Sequence, residues 1–167
     1  TLGVGSTFTV SIPCRIASYE DTLAQRAGDG VDTASLEGKH VLLAEDNELN
    51  AEIAIELLHE AGLVVDHAKN GVECIDMLEK KPGGYYDVVL MDIQMPAMDG
   101  YEAAKKIRRF TDPERSSVPI IAMTANAFVE DRNRAIEAGM NDHVAKPIDM
   151  NILLPTIQKH LRKGKPE

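Results

Sequence analysis

From Lys39 onward the chain alternates between two hydrophobic rhythms. Short, nearly unbroken apolar runs alternate with longer stretches whose apolar residues recur every three or four positions. The first kind reads as strands buried on both faces, the second as amphipathic helices. His40 to Ala44 is the first run and ends at Glu45-Asp46. Asn47 is placed to cap a helix carrying Leu49, Ile53, Leu57 and Ala61 at i+4 spacing, with Ala54 and Leu58 beside them, and Gly62 ends it. Leu63 to Val65 is a second strand. Asn70-Gly71 opens a helix through Val72, Ile75 and Leu78 that stops before Pro82-Gly83-Gly84. Val88 to Met91 is the central strand, ending on Asp92. The chain then turns through Pro96, and Asp99 can cap a third helix over 100–110. Val118 to Met123 is a fourth strand ending at Thr124, followed by a helix over 127–138 with Gly139 at its C-terminus. Asp142 to Ala145 is a fifth strand, ending at Lys146-Pro147. The last helix runs from Asp149 to about Leu161, with Pro155 expected to kink it or delay its start.

Five such βα units predict a parallel sheet with helices on both faces, and right-handed crossovers make it doubly wound. The chain before Lys39 is different. Thr7 to Ile12 alternates as a single strand, after Gly3 and Gly5, and stops at Pro13. Residues 14–38 hold no sustained period and contain Gly28-Asp29-Gly30, which reads as a flexible linker. The expected organisation is a remnant of another domain over 1–13, the linker over 14–38, the α/β domain over 39–162 and a tail over 163–167.

Composition narrows the classes. With 167 residues, 44% of them hydrophobic, the chain is globular, and it has no apolar run of bilayer-spanning length and no signal-peptide pattern. A net charge of -9 argues against nucleic acid as a direct partner. Cys14 and Cys74 match no metal or redox spacing, so a reducing, cytoplasmic setting is the simplest expectation, whatever membrane anchor a longer parent carries.

The chemistry collects at the strand ends. In a parallel sheet Glu45-Asp46, Asp92, Thr124 and Lys146 all fall on one edge, where open α/β sheets bind ligands. Three carboxylates held together repel, and they tolerate proximity with a cation between them. Hard oxygen donors suit Mg²⁺. Lys146 and Thr124 offer an ammonium and a hydroxyl to phosphoryl oxygens, and an aspartate can itself accept a phosphoryl group. Singly, each residue has a plainer reading: a helix cap, a strand-end hydroxyl, a solvated lysine. Five in register at strand ends is a pattern that chance rarely gives.

The stretches V-L-L-A-E-D-N over 41–47, M-D-I-Q-M-P-A-M-D-G over 91–100, I-I-A-M-T-A over 120–125 and Lys146-Pro147 resemble the receiver domain of two-component response regulators. The resemblance implies a flavodoxin-like five-stranded parallel sheet in the order 2-1-3-4-5. It implies that Asp92 accepts a phosphoryl group from a phosphohistidine. Glu45, Asp46, Asp92 and the backbone carbonyl of Gln94 would hold Mg²⁺, while Lys146 and Thr124 would bind phosphoryl oxygens. The Lys-Pro peptide is usually cis in that family. Thr124 would be the switch residue, with an aromatic partner at the position of His143. The family mostly has Tyr or Phe there, so the histidine is either a half-exposed strand residue with no role or one that still rotates and adds pH sensitivity. Gln94 and Asn126 stand where the family tunes phosphoryl lifetime.

The run from Gly3 to Pro13 resembles the last glycine box and closing strand of histidine-kinase ATP-binding domains. That order implies a hybrid sensor histidine kinase, whose receiver exchanges phosphoryl groups with a histidine kinase domain or a histidine phosphotransfer protein. The surface near Asn47 to Glu56 and the face with Thr124 and His143 are the expected docking areas. With only a short tail after Arg162, no DNA-binding output is expected. The fragment alone is a phosphoacceptor, not a complete kinase. Two other classes compete. One is a receiver-like interaction module that takes no phosphate. The other is an aspartate-nucleophile phosphatase, disfavoured because Asp92-Ile93-Gln94 lacks the second acid of a D-x-D motif. A flavin-binding relative is weaker still, since Glu45-Asp46 stands where a phosphate-cradling loop would be.

Overall fold

The computed structural model describes residues 33–125 and 129–161. The strand expected over 7–12, the linker as far as residue 32 and the tail lie outside the described residues. The elements follow in the order β1 (His40–Ala44), α1 (Glu48–Glu60), β2 (Val64–Ala68), α2 (Gly71–Lys80), β3 (Val88–Asp92), α3 (Gly100–Ile107), α4 (Pro113–Ser116), β4 (Ile120–Thr124), α5 (Val129–Glu137), β5 (Asp142–Ala145) and α6 (Met150–Leu161). The strands form one sheet in the order β2-β1-β3-β4-β5, and every pairing is parallel. This is the expected flavodoxin-like arrangement.

The strand period of two divides the core. Leu42, Ala44, Val89, Met91, Ile120 and Ala122 face a cluster completed by α2, α3 and α5, through Cys74, Leu78, Ile107 and Ala135. Val41, Leu43, Val88, Leu90, Ile121 and Met123 face the opposite cluster, completed by α1 and α6 through Ala54, Leu58, Leu153 and Ile157. β3 and β4 are buried along their whole length, which is why they read as unbroken apolar runs. Burial also pushes the Cys74 thiol up to about 12, so it is a packed apolar group and not a nucleophile. Three helices start on the caps the sequence offers. Asn47, Asn70 and Asp99 accept bonds from the amides of Asn50 (3.0 Å), Glu73 (2.9 Å) and Glu102 (2.8 Å).

The structure corrects several expectations. The i+4 stripe of α1 does not face the core. Ala51, Ala54 and Leu58 do, while Leu49 and Ile53 are 64% and 53% exposed. Small residues on the inner face let the helix lie close to the sheet, which rotates the larger ones outward. β2 extends to Ala68 through polar Asp66 and His67, because it is an edge strand and only half covered. α3 ends at Ile107, and a separate four-residue helix, α4, follows with Asp112 as cap and Pro113 in its first turn. Pro155 lies within α6 without ending it, since Leu153 and Ile157 on either side are both fully buried. Finally, residues 33–38, expected as linker, pack on the domain. Leu36 is fully buried in the α1–α6 cluster, Ser35 Oγ accepts a 2.7 Å bond from Gln158, and the Gly38 amide donates to Gly62.

Arg108 ties the far side together. Its guanidinium donates to the carbonyls of Gly139 (2.7 Å), Ser116 (2.8 Å) and Val118 (2.8 Å) and to the Asn141 side chain (2.8 Å). Three segments, around residues 108, 116–118 and 139–141, thus share one side chain. Arg108→Ala is expected to cost about 3 kcal/mol, since it leaves several partly buried acceptors without donors. Arg108→Lys should recover little of it, because an ammonium cannot reproduce the planar fork. Urea denaturation midpoints of the three proteins check this.

Candidate functional site

Register brings the predicted residues to one edge. Ala44 pairs with Met91, Asp92 with Met123 and Thr124 with Ala145, so four strands each end within a residue of their neighbour. The pairing continues one step past the strands: the Glu45 amide donates to Ala68 (3.1 Å) and the Lys146 amide to the Thr124 carbonyl (2.7 Å). Glu45, Asp46, Asp92, Gln94, Thr124 and Lys146 all line one cleft of about 690 Å³.

Within it, Lys146 Nζ lies 2.5 Å from Glu45 Oε2 and 2.7 Å from Asp92 Oδ2. Glu45 Oε1 accepts from Asn50 Nδ2 at 3.1 Å, and Asp92 Oδ1 from the Gln94 amide at 3.2 Å. Glu45, Asp92 and Thr124 are buried, at 2%, 6% and 7% exposure, whereas Asp46 is exposed. Burial is the main reason the Asp92 carboxyl sits above the ordinary carboxylate range. Lys146 pulls it back down, and Glu45 pushes it further up. Burial also works against the Lys146 ammonium, but its bonds to Asp92 and Glu45 outweigh that and hold it above its ordinary value. Both ends of the pair therefore shift upward, which favours the charged lysine and disfavours the charged aspartate. One ammonium is shared by two carboxylates, and a third stands beside them.

That shortfall of positive charge is what a cation would meet. Oxygens of Glu45, Asp46 and Asp92 lie within 4.8 Å of one another, the hard-donor set that suits Mg²⁺. The Lys146-Pro147 peptide is cis, as the family resemblance implies.

The turn after Asp92 is tightly built. Ala97 has φ 66°, a strained value for a residue with a side chain. The Gly100 amide returns to Ile93 at 3.0 Å. A Cβ on Gly100 would collide with the Asp92 carbonyl oxygen and press on Ile93 and Met91, so only glycine fits.

One predicted residue is not in this cleft. His143 is half-buried and lines a separate groove of about 80 Å³ with Arg132, Ile136, Asp142 and Lys159; its Nδ1 is 3.8 Å from Asp142. Asn126 lies outside the described residues. Three residues of the cleft were not foreseen: Asn50, Tyr101 and Arg134. Asn50 is one turn into α1, on the side of Glu45, so the cap at Asn47 was the available signal. Nothing in local pattern marks Tyr101 and Arg134, which meet only through the fold.

The sheet and its acidic cleft define a phosphoacceptor-type α/β domain, and comparison with known proteins places it. Residues 41–158 match the response regulator receiver domain, and the chain belongs to that family. It is 41% identical over 131 residues to hybrid signal transduction histidine kinase B of Dictyostelium discoideum, covering 72% of this chain and 6% of that protein. To hybrid signal transduction histidine kinase L of the same organism it is 34% identical over 170 residues, covering 98% of this chain and 10% of that protein. The chain thus spans only a small part of such relatives. Among solved structures it is similar to the receiver domain of a Pseudomonas aeruginosa sensor histidine kinase, which has a magnesium ion coordinated in its active-site cleft (36% identity, TM-score 0.67, 75% of this chain and 98% of that one). It is also similar to a structure pairing the Saccharomyces cerevisiae phosphotransfer protein Ypd1 with the receiver domain of the response regulator Ssk1 (28% identity, TM-score 0.68, 79% of this chain and 95% of that one). Among the described residues, no helix is long and apolar enough to cross a membrane.

Gly100→Ala is expected to displace the Asp92 turn, lower stability by about 2 kcal/mol and weaken Mg²⁺ binding. Isothermal titration with Mg²⁺ and urea denaturation, run on the same samples, check both effects.

Proposed function

We propose that Asp92 is the phosphoacceptor and that the domain relays phosphoryl groups from a phosphohistidine. The observation that carries this is the convergence of Glu45, Asp92 and Lys146 at 2.5 and 2.7 Å, with Asp46 completing a metal-sized set of acids. A carboxylate oxygen of Asp92 attacks phosphorus in line. The O–P bond forms as the donor's N–P bond breaks, and the electron pair stays on the imidazole nitrogen. Glu45, Asp46, Asp92 and the Gln94 carbonyl are the residues that would hold Mg²⁺, which when bound neutralises charge on the transferring oxygens. Lys146, freed from Asp92 as that oxygen becomes esterified, turns to a phosphoryl oxygen. The Thr124 hydroxyl donates to another, and its movement is the start of the conformational switch. His143, at the other end of that switch, couples it to the Asp142 carboxylate. Gln94 and Asn126 set the lifetime of the product.

The donor or acceptor protein is a histidine phosphotransfer protein or a histidine kinase domain, and the parent is a hybrid histidine kinase working at the cytoplasmic side. The exposed side chains of Leu49 and Ile53 give such a partner an apolar seat. It continues into a shallow groove of about 170 Å³ lined by Ile53, Leu57, Pro147 and Ile148, beside Lys146.

Two measurements test this reading. Incubation with Mg²⁺ and a small phosphodonor, read by intact mass, should add one phosphoryl group to the wild type and none to Asp92→Asn. If Mg²⁺ binds and neither the small donor nor a phosphorylated phosphotransfer protein labels Asp92, the domain is an interaction module instead. Ile53→Asp should slow transfer from a phosphotransfer protein by about tenfold, the size of a central interface contact, and leave labelling by the small donor unchanged. Equal losses with both donors would remove the docking assignment.

A further inference from the structure

The cleft holds a second cation that this mechanism does not use. Arg134, on α5, lines it together with Asp92, Thr124 and Lys146. Its guanidinium carbon lies 4.8 Å from the centroid of the Tyr101 ring, and Tyr101 is the second residue of α3. The contact therefore bridges the helix that follows the Asp92 strand and the helix that follows the Thr124 strand. Among the described residues no carboxylate pairs with Arg134. A cation–π contact does not use up the guanidinium N–H donors, and Arg134 is exposed, so they can still reach an anion.

A charge count says which anion. Glu45 and Asp46 bring two negative charges, and a phosphoryl group on Asp92 brings close to two more. One divalent cation and the Lys146 ammonium leave these groups a single positive charge short, and Asp99 on the same cleft adds one more negative charge. Among the described residues, Arg134 is the other cation lining the cleft.

We propose that Arg134 is a second cationic contact for the phosphoryl group arriving at or carried by Asp92, and that Tyr101 is its positioning residue. The inference rests on the reading of Asp92 as phosphoacceptor. In this role Arg134 favours donors that present a dianionic phosphoryl group, and it acts on donor affinity more than on metal binding.

The test uses acetyl phosphate as donor and intact mass as readout, over a range of donor and NaCl concentrations. Arg134→Ala should raise the donor concentration for half-maximal rate roughly three- to tenfold and flatten the salt dependence. Arg134→Lys should restore part of both. Tyr101→Leu should resemble Arg134→Ala, while Tyr101→Phe, which keeps the ring, should lie nearer the wild type. Mg²⁺ affinity should be equal in all five proteins. Wild-type donor dependence and salt dependence in Arg134→Ala would overturn the assignment, as would a parallel loss of Mg²⁺ affinity, which marks a structural role. Should the wild type bind Mg²⁺ and take no phosphoryl group from any donor, the reading of Asp92 fails and the Arg134 assignment goes with it.

Discussion

Two buried carboxylates sharing one ammonium is the constraint around which this domain is built. Glu45 directly follows β1 and Asp92 ends its neighbour β3, both almost wholly removed from water, with Lys146 between them. Such a group is unfavourable to assemble, because desolvation opposes every member and one positive charge cannot satisfy two negative ones. It persists because backbone pairing on the neighbouring strands holds each member in place. The parallel ladder sets the strand ends level, and the turn through Ala97 to Gly100 holds the segment after Asp92 in place. The residual imbalance is useful: it leaves the site receptive to a divalent cation, and through that cation to phosphoryl oxygens.

The rest of the fold keeps this edge rigid. Strands β3 and β4 have no exposed residue, so Asp92 and Thr124 end elements that cannot shift without disturbing both cores. The opposite flank is held by Arg108, whose guanidinium joins the end of α3, the short α4, the start of β4 and the loop after α5. Rigid strands with helix-borne side chains at their exits suit a site where a small chemical change must be felt at a surface.

Much of this was legible in the sequence because it depends on local signals. Unbroken apolar runs named the strands, Asn47, Asn70 and Asp99 named three helix starts, and the acids at strand ends named the cleft. The illegible parts depend on what lies across the fold. The i+4 spacing in α1 showed a stripe but not its direction, since the close approach of the helix is set by Ala51 and Ala54. The pair Asp112-Pro113 carried the signal for α4, a cap followed by proline, but four residues are too few to show a period. Tyr101 and Arg134 are far apart in the chain and meet only because β3 and β4 are neighbours. His143 lies on the strand expected of it, yet its side chain lines a groove apart from the cleft, which alignment of motifs alone does not reveal.

The burial of Leu36 has a consequence for reach. The chain enters this domain at the amino end of β1, and the acidic cleft lies at the carboxyl ends of the strands. Those two edges are separated by the length of a five-residue strand, about 16 Å at the usual rise. With residues 33–38 seated on the domain, any tether from upstream is measured from residue 32 and starts on the wrong side. A phosphodonor carried on the same chain would have to be led around the domain's height. Each residue of slack spent on that detour lowers the effective concentration at the cleft of anything tethered upstream.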